Sequence, residues 1–212
     1  MFANIAVYNR RVAYAEQLPK LVDEAIRTAI AKRGVAVLEV PGDFGFHEMD
    51  ADAFYSSAKS FRDYTSSPIN EADIDAAVEV LNNSKRPVIY AGVGTMGHGP
   101  AVTELSRLIK APVIVTGKNY ETFEYDFEAL AGSTYRVGWK PANETIKEAD
   151  TVIFVGSNFP FAEVDKTFEN IEKFIQIDNN PVMLGKRHNA DVAILGDAGE
   201  AVHSLLAKVT PV

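Results

Sequence analysis

The chain has 212 residues, 47% hydrophobic and 24% charged, which suits a folded globular protein of one large domain or one domain with part of a second. Its 29 acidic and 21 basic residues give a formal charge of −8, arguing against a general nucleic-acid surface, so a bound phosphate must be held by backbone N–H groups or a few placed cations. The absence of cysteine removes disulfides, thiolate nucleophiles and Cys-ligated metals, and no apolar run has bilayer length or signal-peptide form, which predicts a cytoplasmic protein.

Leu18, Leu21, Val22, Ala25, Ile26 and Ala29 recur at helical spacing, and Gly34 stops the run. "VAVLEV" (35–40) reads as a buried strand ended by Pro41-Gly42. The first forty residues are therefore read as one helix and one strand. Such a pair cannot bury its own apolar faces, because a sheet needs several strands to be stable in water. This piece is expected to complete a sheet whose other strands lie outside the chain. Residues 43–70 show no sustained period, carry several aromatics and end in Ser-Ser-Pro, the composition of a connector anchored on a surface.

From Asn70 the pattern becomes regular. Asn70 and Asp73 can cap a helix running to about Asn83 with Ile74, Ala77, Val78 and Leu81 inward. Strand "VIYA" (88–91), a glycine loop, a helix near 100–110 and strand "VIVT" (113–116) follow. "TVIFVG" (151–156), "KFIQID" (173–178) and "VAIL" (192–195) are further β-branched runs separated by crossover-length segments. Strands alternating with helices predict an α/β, doubly wound, mainly parallel sheet of Rossmann type. Ligands of such sheets sit beyond the carboxyl ends of the strands.

The first strand end is "GVGTMGHG", where Gly92, Gly94 and Gly97 have the spacing of a dinucleotide fingerprint, and the helix near Pro100 could offer N–H groups to a pyrophosphate. A tight turn that needs glycine for its φ angles explains the stretch equally well. A nicotinamide site also wants an acid at the end of the second strand, about 20 residues on, to hold the ribose. Thr116-Gly117-Lys118-Asn119 stands there instead. Gly156, Ser157 and Asn158 end the next strand, Asp178 supplies a carboxylate at the strand after, and Asp197 follows Gly196 at the last, where it also suits a helix N-cap. Several strand ends with small or hydrogen-bonding residues favour an extended ligand such as FAD, laid across loops, over a single-loop site. Arg136 lies in a Gly- and aromatic-rich loop where a cation could meet a flavin ring, or be a plain surface charge. His47, His98, His188 and His203 lack metal-ligand spacing, and the basic cluster 184–188 reads as a solvated turn.

The stretches "RVAYAEQLPK", "GSTYRVGWKPANE", "GSNFPFAEV" and "KFIQIDNNPVMLGKRH" resemble the bacterial pyruvate oxidases, members of the thiamine-diphosphate-dependent family that includes acetolactate synthase. The similarity runs through essentially the whole chain and looks most like the enzymes of lactic-acid-type bacteria. It implies that residues 1–42 are the tail of a pyrimidine-binding domain, 43–70 a connector and 71–212 a central FAD domain. It also implies a homotetrameric parent enzyme that converts pyruvate, phosphate and O2 to acetyl phosphate, CO2 and H2O2.

By resemblance, Gly92 and Gly94 approach the FAD phosphates with Thr95 beside them, and Thr116, Gly117, Lys118, Asn119 and Tyr120 line the flavin-side loop. Gly132, Ser133 and Arg136 meet the ribityl or isoalloxazine part, and Gly156, Ser157, Asn158 and Phe159 bind along the middle. Asp178 holds the adenosine ribose, with Asn179 and Asn180 standing where relatives often have acids, and Asp197 with Ala198 takes the adenine end. No catalytic residue or metal ligand is expected here. The thiamine diphosphate and Mg2+ motif begins Gly-Asp-Gly, and Gly196-Asp197-Ala198, with 14 residues remaining, does not supply it. Two other readings stand beside this one: a folded assembly domain without flavin, as in related decarboxylases, and a nicotinamide domain, which the missing acid at the second strand opposes.

Overall fold

The structure is a computed structural model describing residues 2–50, 55–60, 67–134, 138–157 and 168–212. The chain divides into two compact units, Met1–Thr65 and Ser66–Val212.

The first unit holds β1 (Ala6–Arg11), α1 (Leu18–Lys32) and β2 (Val35–Glu39). The expectation of one helix and one strand is corrected by β1, which pairs in parallel with β2 from Ala6↔Val35 to Arg11↔Glu39. Its sequence, AVYNRR, carries no apolar alternation; ladder pairing with β2 makes it a strand. Pro19 opens α1, where its missing N–H is harmless, and the helix ends at Arg33 in the left-handed conformation (φ 47°). Gly34 then passes so near Val7 that any Cβ would strike its side chain. In the segment expected as a connector, the Ser57 N–H and hydroxyl both donate to the Asp23 carboxylate of α1, at 2.8 and 2.5 Å.

The second unit contains α2 (Glu71–Asn83), β3 (Pro87–Ala91), α3 (Gly99–Ile109), β4 (Val113–Val115), β5 (Leu130–Gly132), α4 (Lys140–Glu148), β6 (Thr151–Val155), β7 (Lys173–Asp178), β8 (Val192–Leu195) and α5 (Ala198–Leu206). The Asn70 side chain caps α2 by accepting from the Ala72 N–H at 3.1 Å. The sheet order is β5-β4-β3-β6-β7-β8 with every pair parallel, which is the doubly wound α/β fold expected from the sequence. β5 escaped the sequence reading because Leu-Ala-Gly is three residues long and ends in glycine.

Strand alternation divides the core into two layers. Ile89, Ala91, Ile153, Val155, Ile175 and Ile177 pack against α2, α3 and α5. Val88, Tyr90, Ile114, Val152, Phe154 and Phe174 pack against Ala142 and Ile146 of α4 and against Phe168. Phe154 stacks on Tyr90 and Phe174, with ring centroids 4.6 and 5.0 Å away. At the amino edge, Asp150 accepts from the Ser84 hydroxyl (2.6 Å) and from the N–H groups of Lys85 and Arg86 (both 3.0 Å), joining the α2–β3 turn to the start of β6.

Candidate functional site

Parallel order brings the carboxyl ends of all six strands to one edge, and five steps of about 4.8 Å make that edge roughly 24 Å long. The winding reverses between the neighbours β3 and β6, so the loops at Gly92 and Gly156 flank the switch point where an open α/β sheet leaves a crevice.

These two loops interlock. The Gly92 N–H donates to the Val155 carbonyl at 2.9 Å and the Gly94 N–H to the Gly156 carbonyl at 3.0 Å. A Cβ on Gly92 would strike Gly156 and Ser157, and one on Gly94 would lie 2.7 Å from the Gly156 Cα. Gly156 has φ +59° and is itself pressed on the Gly94 backbone. The glycines are thus required for backbone-to-backbone packing, with both N–H groups already engaged, which departs from the expectation that they face phosphate. Gly97 has φ +83° with open space around it, a turn glycine. The α3 start is also filled, because Gly99 abuts the Thr122 carbonyl oxygen and Pro100 lacks an N–H.

A relay of polar side chains braces the β3 and β4 ends. The Thr122 hydroxyl donates to Asn119 Oδ1 (2.6 Å), Asn119 Nδ2 donates to Thr95 Oγ1 (2.7 Å), and the Thr95 hydroxyl donates to the Gly92 carbonyl (2.8 Å). Thr95 and Asn119 are both 0% exposed, so neither presents a side chain to a ligand, which departs from the expectation that Thr95 lies beside the phosphates and Asn119 lines the flavin-side loop. Spacing alone could not reveal this, since the residues lie 24 apart and meet only because β3 and β4 are neighbours. Beside them, Thr116 Oγ1 is buried and has no hydrogen-bond partner among the described residues. Such an atom is costly to leave unsatisfied. Gly117 and Lys118 lie exposed on the same loop.

At the β5 end, the Tyr120 hydroxyl donates to Ser133 Oγ at 2.8 Å, and the Tyr90 hydroxyl shares a buried 3.0 Å hydrogen bond with Thr134. Burial pushes the Tyr90 phenol above its ordinary range. Gly132 has φ +96° and lies under the Trp139 ring, where a Cβ would be 2.7 Å from the indole. The backbone N–H of Trp139 donates to the Ser133 carbonyl at 2.8 Å.

At the other end, Asp178 Oδ1 accepts from the Asn180 N–H (2.8 Å) and Asn180 Oδ1 from the Val182 N–H (3.1 Å), so successive Asx turns shape this loop. Gln176, 6% exposed, clamps it by donating to the Met183 carbonyl and accepting from the Gly185 N–H. Asp197 caps α5 through bonds from the Gly199 and Glu200 N–H groups, and Ala198 behind it is buried. His98 packs on Gly199 with Nε2 4.0 Å from Asp197 Oδ1. Three residues carry the sequence reading outside the described residues: Arg136, Asn158 and Phe159.

The edge therefore gathers Thr116, Gly117, Lys118, Tyr120, Gly132, Ser133, Asp178, Asn179 and Asp197, while Gly92, Gly94, Thr95, Asn119, Gly156 and Ser157 form its packed support. The sequence reading missed Trp139 and Gln176. Their signals were a sole tryptophan ahead of Lys-Pro and a lone polar residue inside "FIQI". Among the described residues, no three His, Asp or Glu converge as a metal-binding group, and no helix is long and apolar enough to cross a membrane.

Residues 74–205 match the family described as Thiamine pyrophosphate enzyme, central domain. Over 99% of its length the chain is 40% identical to the pyruvate oxidase of Lactiplantibacillus plantarum, covering 35% of that protein. It is 28% identical over 98% of its length to a protein named probable acetolactate synthase large subunit in Methanocaldococcus jannaschii, of which it covers 36%. It is 27% identical over 90% of its length to the acetolactate synthase isozyme 2 large subunit of Escherichia coli, of which it covers 35%. The chain thus spans about a third of the length of these relatives.

Proposed function

Because the chain belongs to the central-domain family of thiamine pyrophosphate enzymes, we propose that it is the FAD-binding part of a cytoplasmic, homotetrameric pyruvate oxidase. That parent enzyme would convert pyruvate, phosphate and O2 to acetyl phosphate, CO2 and H2O2. The observation that carries this reading is 40% identity to a pyruvate oxidase through 99% of the chain. Residues 1–42 would then be the tail of the pyrimidine-binding domain and 71–212 the FAD domain, with thiamine diphosphate and Mg2+ bound outside this chain.

The residues present fit a dinucleotide. The edge is about 24 Å long, Thr116 Oγ1 is a buried hydroxyl with no partner among the described residues, and Asp178 offers carboxylate chemistry suited to a ribose diol. Bound FAD would accept the electron pair that pyruvate loses on decarboxylation; the residues of this chain hold and orient it. Thr116, Gly117, Lys118, Tyr120, Gly132 and Ser133 would meet the flavin side, Asp178 and Asn179 the ribose, and Asp197 the adenine end, with Gly156 and Ser157 supporting the middle and Ala198 the adenine end from behind. Arg136, Asn158 and Phe159 stand in the proposal on the resemblance. Thr95 and Asn119 would hold the loops in shape from behind, as would Gly92 and Gly94.

One observation favours the ligand-free alternative of an assembly domain: the N–H groups of Gly92 and Gly94 are already taken by protein acceptors. Titration of the purified chain with FAD, ADP and NAD by calorimetry separates the readings. The expected result is binding of FAD and ADP but not NAD, weakened about tenfold or more in Asp178→Asn, which keeps the acceptor for the Asn180 turn while removing the charge. Heat with none of the three would favour the assembly domain, and tighter binding of NAD than FAD would overturn the flavin reading.

A further inference from the structure

Trp139 is the sole tryptophan of the chain and stands 50% exposed, although its surroundings fix it in place. Its indole lies on Gly132, whose φ of +96° and missing Cβ make the space, and the backbone N–H of Trp139 is bonded to the Ser133 carbonyl, which fixes the point the ring projects from. The Tyr120 ring is 6.1 Å away at a 35° tilt, and its hydroxyl is held by Ser133. A large aromatic surface kept open to solvent by a preorganised support is what stacking on a planar ring requires, because little side-chain entropy is lost when the ring arrives.

The position selects which ring. β5 ends the sheet order on the side away from β7 and β8, so Trp139 stands by the opposite end of the edge from Asp178 and Asp197. An extended dinucleotide carries an aromatic ring at each end, and the carboxylates suit the sugar hydroxyls and amino group of adenosine. Trp139 offers only π surface, next to Tyr120 and Ser133, whose hydroxyls are bonded to each other. Resting on the proposed FAD reading, we infer that Trp139 is a stacking platform for the isoalloxazine ring and helps the site distinguish FAD from ADP.

The test uses the full chain, its Trp139→Ala and Trp139→Phe variants, and calorimetric titration with FAD and ADP. Ring stacking on an aromatic side chain is worth about 1–3 kcal/mol, so Trp139→Ala should weaken FAD about tenfold or more while leaving ADP within about twofold. Trp139→Phe should recover most of that loss. Flavin emission, quenched in the wild-type complex by contact with the indole, should rise in Trp139→Phe at saturation. Retained ADP affinity shows that the variants are folded. FAD binding left unchanged by Trp139→Ala, or FAD and ADP weakened equally, would overturn the inference while leaving the FAD reading intact. Failure of the wild-type chain to bind FAD would overturn both.

Discussion

The two units solve the burial problem to different degrees. In the second, all five residues of β3 and all five of β6 are buried, with apolar layers on both faces of the sheet. In the first, the buried apolar residues among those described are Val12, Ala15 and Ala25, while Val22, Ile26 and Ile30 form an exposed stripe at i, i+4, i+8 on α1. Phe2, Ile5, Val7 and Val35 are exposed as well. Six strands with helices on both faces close a core, and two strands with one helix do not. Helical and strand periodicity thus state which faces want burial, and the number of elements decides whether they obtain it.

The sharpest test of this contrast pairs a core truncation with a surface one. Phe154→Ala removes a ring stacked on Tyr90 and Phe174 and should destabilise the second unit by about 3–5 kcal/mol. Ile26→Ala, on a side chain 55% exposed, should change stability by less than about 0.5 kcal/mol. Urea unfolding followed by Trp139 emission and far-UV circular dichroism measures both. A loss of several kcal/mol in Ile26→Ala would mean that α1 is covered, and the contrast would collapse.

Regular elements of the second unit were legible because each carries its own period: α2 through Ile74, Ala77 and Leu81, and β3, β6 and β7 through β-branched runs. β1 and β5 were not, since a charged edge strand and a three-residue strand ending in glycine acquire their identity from a neighbour. The candidate site was legible as a set of strand ends and not as a set of contacts. Gly92 and Gly94 look like phosphate glycines in sequence, yet their Cβ positions are closed by Gly156 and Ser157, which become neighbours only through the β3–β6 pairing. Asn119 likewise reads as a loop side chain until the fold buries it on Thr95.

Gly156→Ala probes that closure. The added methyl meets the Gly94 backbone, and alanine must adopt φ near +59°, a conformation that alone costs about 1–3 kcal/mol. By contrast, Gly42→Ala in the first unit, where nothing lies within 4 Å of the new Cβ, should alter stability by less than about 0.5 kcal/mol. Equal effects in the urea midpoint would show that the switch-point loops do not pack as tightly as the distances indicate.

The smallest effect compares two carboxylates that hold chain segments together, one in each unit. Burial works against ionisation of Asp150, but hydrogen bonds from the Ser84 and Thr151 hydroxyls and from the Lys85 and Arg86 N–H groups outweigh it and hold the carboxyl below the ordinary range. Asp23 is also lowered, by the hydroxyl and then the N–H of Ser57. A carboxyl depressed in the folded state stabilises above its unfolded pKa, near 3.9, and that contribution is lost as pH falls through the lower folded value. Both units should therefore weaken on acidification below about pH 4. Asp150 gathers donors from the turn before β3 and from β6, whereas Asp23 gathers them from one serine, so Asp150→Asn should flatten the acid limb of urea stability more than Asp23→Asn does. A larger effect from Asp23→Asn would place the stronger carboxylate clamp in the unit with the open core, and would mean that polar tethering there compensates for missing apolar burial.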